Sequence, residues 1–192
     1  MRKRDVLILA VALAINLTVG LTLGMNRPLT SDAHQYLQVA RSLAAGHGYV
    51  NPATFWPDQP TMQRLPGWPC LVSLALRITP GVTPDTVMRL LCLLLNAFIA
   101  WLLFRLTYAL WQRLAPALVA GLVYALHPTG LYLAYNGSSE MFFLALVSTG
   151  LWLGLRGGKA IYIGFLLLGL ACLERANFLL FIFCLPAFGL LC

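Results

Sequence analysis

The sequence predicts an all-α membrane protein, and three observations carry that prediction. Of the 192 residues, 60% are hydrophobic and only 10% are charged, with a mean hydropathy of +0.80. A soluble domain has roughly 45–50% apolar and about 25% charged residues. Too few polar groups exist here to cover a water-facing globule. Apolar runs of membrane length recur along the chain, and between the first and the rest lies one long polar stretch, 26–84.

The first span is read from Val6 to Met25, behind the cluster Met1-Arg2-Lys3-Arg4-Asp5. At about 1.5 Å per residue it covers roughly 30 Å, one hydrocarbon thickness. A secretory leader would have a shorter apolar core of about 7–15 residues and a small-residue cleavage site. Gly24-Met25-Asn26-Arg27-Pro28 offers no such site, so the span is read as retained. The Arg-Lys-Arg cluster puts the N-terminus in the cytoplasm of a multi-pass cell-membrane protein.

The polar stretch 26–84 is then an external loop. Within it Ser31 to Ala45 reads as an amphipathic helix: Thr30 or Ser31 caps it, Asp32 lies in the first turn, and Tyr36, Val39, Ala40 and Leu43 recur at helical spacing. Gly46-His47-Gly48 ends it. Pro69 to Ile78 is apolar but too short to cross, and reads as an interfacial helix. Trp56, Trp68, Tyr49 and Phe55 suit a headgroup layer.

Five further segments follow: Asp85–Leu110, Pro116–Tyr135, Glu140–Leu155, Ala160–Leu173 and Asn177–Leu191, the last three short for a full crossing. The expectation is a single transmembrane domain, 1–192, of about five to six helices (6–25 first span, 26–84 loop, 85–192 remaining spans). Arg105, Arg113, Arg156 and Lys159 flank two connections that this alternation puts in the cytoplasm, in keeping with the positive-inside rule. Leu190-Leu191-Cys192 closes the sequence inside an apolar run, which suggests an incomplete module.

The net charge of +7 is spread as single cations between apolar runs. No basic stripe with interleaved aromatics exists, so nucleic acid is not the expected partner. The five cysteines show no metal-ligand spacing. No H-x-x-x-H, G-x-S-x-G or phosphate-cradling glycine loop is present. Asn16-Leu17-Thr18 matches a glycosylation acceptor inside a span, which also weakens Asn136-Gly137-Ser138 as one. His127-Pro128 marks a kink or end late in the third span.

Chemistry therefore falls to a few charged residues at the external ends. Asp32, with His34 and Tyr36 close by, is the leading catalytic candidate; its bland reading is an acid complementing a helix dipole. Glu140 follows Asn136-Gly137-Ser138-Ser139 at the external start of a span, where a capped first turn would also explain it. Arg64 and Arg175 are the candidate anion binders, because guanidinium matches phosphate oxygens as a rigid fork. A structural ion pair is the alternative for Arg175, which follows Glu174.

The order of these features resembles the N-terminal part of the GT-C fold glycosyltransferases. It runs from Ser31-Asp32-Ala33-His34-Gln35-Tyr36 through Ala40-Arg41-Ser42-Leu43 and Gly46-His47-Gly48-Tyr49 to Arg64-Leu65-Pro66-Gly67-Trp68-Pro69, His127-Pro128 and Ser139-Glu140. The nearest group is the protein O-mannosyltransferases and lipid A aminoarabinose transferases with their bacterial relatives. The family's Arg-Pro-Pro-Gly-Tyr-Pro element corresponds to Arg64 through Pro69, with Leu65 and Trp68 as departures. The resemblance covers the first half of a typical member.

The resemblance implies a GT-C-like bundle that moves a sugar from a polyprenyl-phosphate donor to a lipid, glycan or protein acceptor outside the membrane, with inversion. It implies Asp32 and Glu140 as catalytic acids. Arg64, Arg175, Tyr36 and His34 would bind substrate, and a divalent cation would be the one cofactor to consider. Two rivals stand beside this reading: an inactive fragment of such an enzyme, and a non-enzymatic transport or assembly protein. A transporter would place ionisable groups at mid-span, often in repeated halves; here they cluster at the external ends.

Overall fold

The computed structural model describes residues 3–24, 27–51, 65–175 and 178. The described residues form eight α-helices. α1, Lys3–Val19, runs on into a π-helical turn at Gly20–Gly24. α2, Ser31–Ala44, and α3, Gly67–Ile78, are the two loop helices. The long α4, Pro84–Trp111, precedes α5, Leu114–Ala125, and α6, Pro128–Tyr135. α7, Glu140–Arg156, and α8, Ala160–Glu174, close the order.

The helices alternate in direction, as two sets of contacts establish. At one end Asp5 of α1 accepts from Nη1 of Arg105 of α4 at 2.9 and 3.0 Å. At the other, Arg89 near the start of α4 donates to the carbonyls of Gly24 and Arg27, and to that of Tyr135 at 2.7 Å. One buried guanidinium thus serves the C-terminal ends of the first span and of α6, whose last carbonyls have no partner within their own helices. Midway, Asn96 donates to Asn16 at 2.6 Å, both fully buried, which takes the Asn16 acceptor motif out of reach of any modification.

α2 and α3 dock on the Arg89 end. Trp68, Val72 and Leu37 insert against Met88, Cys92 and Met141 of α4 and α7 to form the main core cluster. Arg77 ties the pair by donating to the Leu43 carbonyl at 2.7 Å. Trp68 is wholly buried and lies 6.1 Å from the Phe142 ring. That corrects its expected place in a headgroup layer: its large apolar surface is worth more in the core. Trp56 and Phe55 lie outside the described residues.

Two helical stretches are long and apolar enough to cross a membrane, Asp5–Gly24 with 20 residues and Pro84–Trp111 with 28. A third crossing results if α5 and α6 count as one span bent by 47°. The break falls at His127-Pro128, where proline cannot continue the helix. Two or three spans among the described residues are fewer than the expected five to six. The physical reason is length: α7 has 17 residues and α8 has 15, roughly 25 and 22 Å against about 30 Å of hydrocarbon. Gly157 and Gly158, both at positive φ, turn the chain between them. Apart from Phe178, the expected segment Asn177–Leu191 lies outside the described residues.

The outer surface bears out a lipid environment. Tyr162, Ile163, Phe165 and Leu166 of α8 are all more than half exposed. Apolar side chains presented on this scale belong in a bilayer.

Candidate functional site

A cavity of about 1130 Å³ opens at the Arg89 end, between α2, α6, α7 and the residues that follow α8. Its polar wall is built from three separate parts of the chain. Thr30 caps α2, its Oγ1 accepting from the Ala33 N–H at 3.3 Å. That cap starts the helix so that Asp32 falls in its first turn and Tyr36 one turn later on the same side. Both line the cavity. Glu140 opens α7 after Ser138-Ser139, and Arg175 leaves α8 in extended backbone. The Arg175 guanidinium is paired with the Glu140 carboxylate. It also lies 5.9 Å from the Phe143 ring.

The apolar wall descends from that pair. Phe143, Leu144, Val147 and Leu151 line the cavity below Glu140, at the spacing of one helix face. From Glu140 to Leu151 is roughly 16 Å at about 1.5 Å per residue. The cavity is thus charged at its mouth and greasy along its length.

Four of the six expected site residues, Asp32, Tyr36, Glu140 and Arg175, meet in this one cavity. The two acids therefore share one end of the bundle. His34 does not line it: the ring is exposed and bonds Gln38 at 3.1 Å, one turn along α2. Arg64 lies outside the described residues. His127 caps the break before α6 and is not part of the cavity lining. Among the described residues no group of three or more His, Cys, Asp or Glu gathers to hold a metal ion.

Sequence reasoning missed Glu174. Its carboxylate crosses to the start of α3, where Oε1 accepts the Trp68 N–H at 3.0 Å, and the Gly67 N–H also donates to it. Those are orphan donors of a helix that Pro66 leaves without a side-chain cap. A Cβ at position 67 would collide with this carboxylate, so a larger residue there would displace it from the two N–H groups. Burial pushes the Glu174 carboxyl above its ordinary value, against the opposing pull of the two N–H groups and Arg175. Burial likewise raises the Tyr49 phenol, which faces Cys70, Tyr36 and Glu174. The only signal available was an acid ending an apolar run, and its partner stands 106 residues away.

No known protein family, curated protein or solved structure matches the chain.

Proposed function

We propose that the chain is, or is part of, a GT-C-like membrane glycosyltransferase that takes a sugar from a polyprenyl-phosphate donor. The observation that carries the reading is the cavity with both chemistries: an acid and an arginine at the mouth, and an apolar face running down α7. A lipid-linked sugar phosphate has the same two parts in the same order.

Asp32 acts as general base. The acceptor hydroxyl or amine loses a proton as it attacks the anomeric carbon, and a carboxylate within hydrogen-bond reach takes it. The donor's C–O bond breaks on the opposite face, so the configuration inverts. The leaving lipid phosphate gains negative charge, which Arg175 neutralises through charge-assisted hydrogen bonds. Glu140 holds Arg175 in place until the phosphate arrives. Tyr36 borders the sugar, and Arg64 is the second phosphate-binding candidate. Were a divalent cation to take part, Asp32 would be the residue to hold it, and the ion would supply the same neutralisation. The cavity mouth faces outside the cell, where a lipid, glycan or protein serves as acceptor.

The test is release of polyprenyl phosphate from a panel of polyprenyl-phosphate sugars by the full chain in lipid nanodiscs. Asp32→Asn is expected to lower turnover by roughly 10²–10⁴ while donor binding persists. Arg175→Gln is expected to weaken donor binding. Wild-type turnover by Asp32→Asn removes Asp32 from the role of base.

A further inference from the structure

The end of the bundle away from the cavity carries a second, smaller cleft. Leu106 and Leu110 of α4, Leu151 and Leu155 of α7, and Ile161 and Phe165 of α8 form its walls, around about 370 Å³ of space. A water-sized group occupies about 30 Å³, so this is room for roughly a dozen chain carbons. The lining is apolar throughout and offers no partner for a polar ligand.

The glycines of this hairpin divide into two kinds. Gly150 and Gly164 are where α7 and α8 touch: a Cβ on Gly164 would lie 2.7 Å from the Gly150 carbonyl, and one on Gly150 would lie 2.8 Å from Leu168. Gly154 lines the cleft with them, yet a Cβ there would meet nothing within 4 Å. Its backbone is ordinary helix. Helix–helix contact does not require glycine at 154, and glycine costs helix stability of order 1 kcal/mol relative to alanine. What its missing side chain does is keep the cleft open.

Cations flank the lining residues along the chain. Leu155 is followed by Arg156, Ile161 is two residues after Lys159, and Leu110 is three residues before Arg113; all three cations are exposed. The Arg156 guanidinium lies 4.5 Å over the Trp152 ring, an aromatic of the kind that sits at headgroup level. The one described acid at this end, Asp5, is already engaged by Arg105.

We propose that this cleft binds an acyl chain of an anionic phospholipid from the adjoining leaflet, with the headgroup phosphate held by Arg156 and Lys159. An apolar slot flanked by cations is complementary to such a lipid, and basic pockets between membrane helices recognise anionic headgroups. The proposal is independent of sugar transfer, since the cleft shares only Leu151 with the larger cavity.

Native mass spectrometry of the full chain, released from nanodiscs of equal phosphatidylglycerol and phosphatidylcholine with matched acyl chains, tests it. The wild type is expected to retain phosphatidylglycerol over phosphatidylcholine by roughly tenfold. Gly154→Phe fills the slot and is expected to strip both lipids. Because both cations are exposed, Arg156→Gln with Lys159→Gln leaves the fold intact and is expected to bring the two lipids to parity. Equal retention by the wild type overturns the proposal, as does an unchanged preference in the double variant.

Discussion

Arg89 shows how a single side chain can join parts of the molecule far apart in sequence. It is 3% exposed and donates to carbonyls contributed by Gly24, Arg27 and Tyr135. A buried carbonyl left without a donor costs about 1–3 kcal/mol. Replacing Arg89 with Met keeps the volume and removes the donors, and the Gly24 carbonyl is the most buried of the three, so Arg89→Met is expected to lose about 1–3 kcal/mol, read as a lower thermal midpoint in detergent. Glu174 is the acidic counterpart. Its folded-state carboxyl holds the proton to higher pH than its ordinary 4.5. The stability that protonation contributes is fully present below that ordinary value and is lost as pH rises through the raised folded one. The thermal midpoint of the wild type should therefore carry a decline with rising pH that Glu174→Gln flattens. A parallel pH profile for the variant would show that Glu174 is not its source.

At the level of elements, the α7–α8 hairpin depends on backbone contact. Without a hydrophobic force between helices in lipid, close approach through small residues supplies the association. Gly164 against Gly150 is that approach, and Gly164→Val forces the helices apart. An overpacking cost of roughly 1–3 kcal/mol is expected, measured as loss of monodisperse protein on heating. The cavity should feel the same change, because α7 supplies its apolar wall and α8 delivers Arg175. α2 and α3 behave differently: they are held by a packed core around Trp68, Leu37 and Met88. By contrast the Arg41–Asp85 pair at 3.3 Å is nearly half exposed on both sides and contributes little.

For the whole molecule, the alternation of helix direction sorts charges between two ends. Asp5, Arg105, Arg113, Arg156 and Lys159 belong to one, and Asp32, Arg89, Glu140, Glu174 and Arg175 to the other. Cys70 is exposed on α3 at the cavity end. A membrane-impermeant maleimide is expected to label Cys70 from outside the cell, and Lys159→Cys only after the membrane is opened. Reaction of both positions from the same side would contradict a membrane lying across α1 and α4. Labelling in the reverse order would keep the fold and invert the proposed orientation.

The lipid environment, the loop helices and the first spans were legible along the chain, because burial in lipid requires long apolar runs and caps are local. Thr30, Asp32, Pro84 and the His127-Pro128 break could all be read from neighbours within a few residues. The meeting of Asp32 with Glu140 was only an expectation, since nothing local relates residues 108 positions apart. The partnership of Arg175 with Glu140 rather than Glu174, the capping of α3 by Glu174, the carbonyl clamp at Arg89 and the burial of Trp68 were decided by packing. Each depends on which helix ends come together in space. Hydrophobic periodicity reports how one helix is solvated and carries no information about which distant helix completes its polar groups.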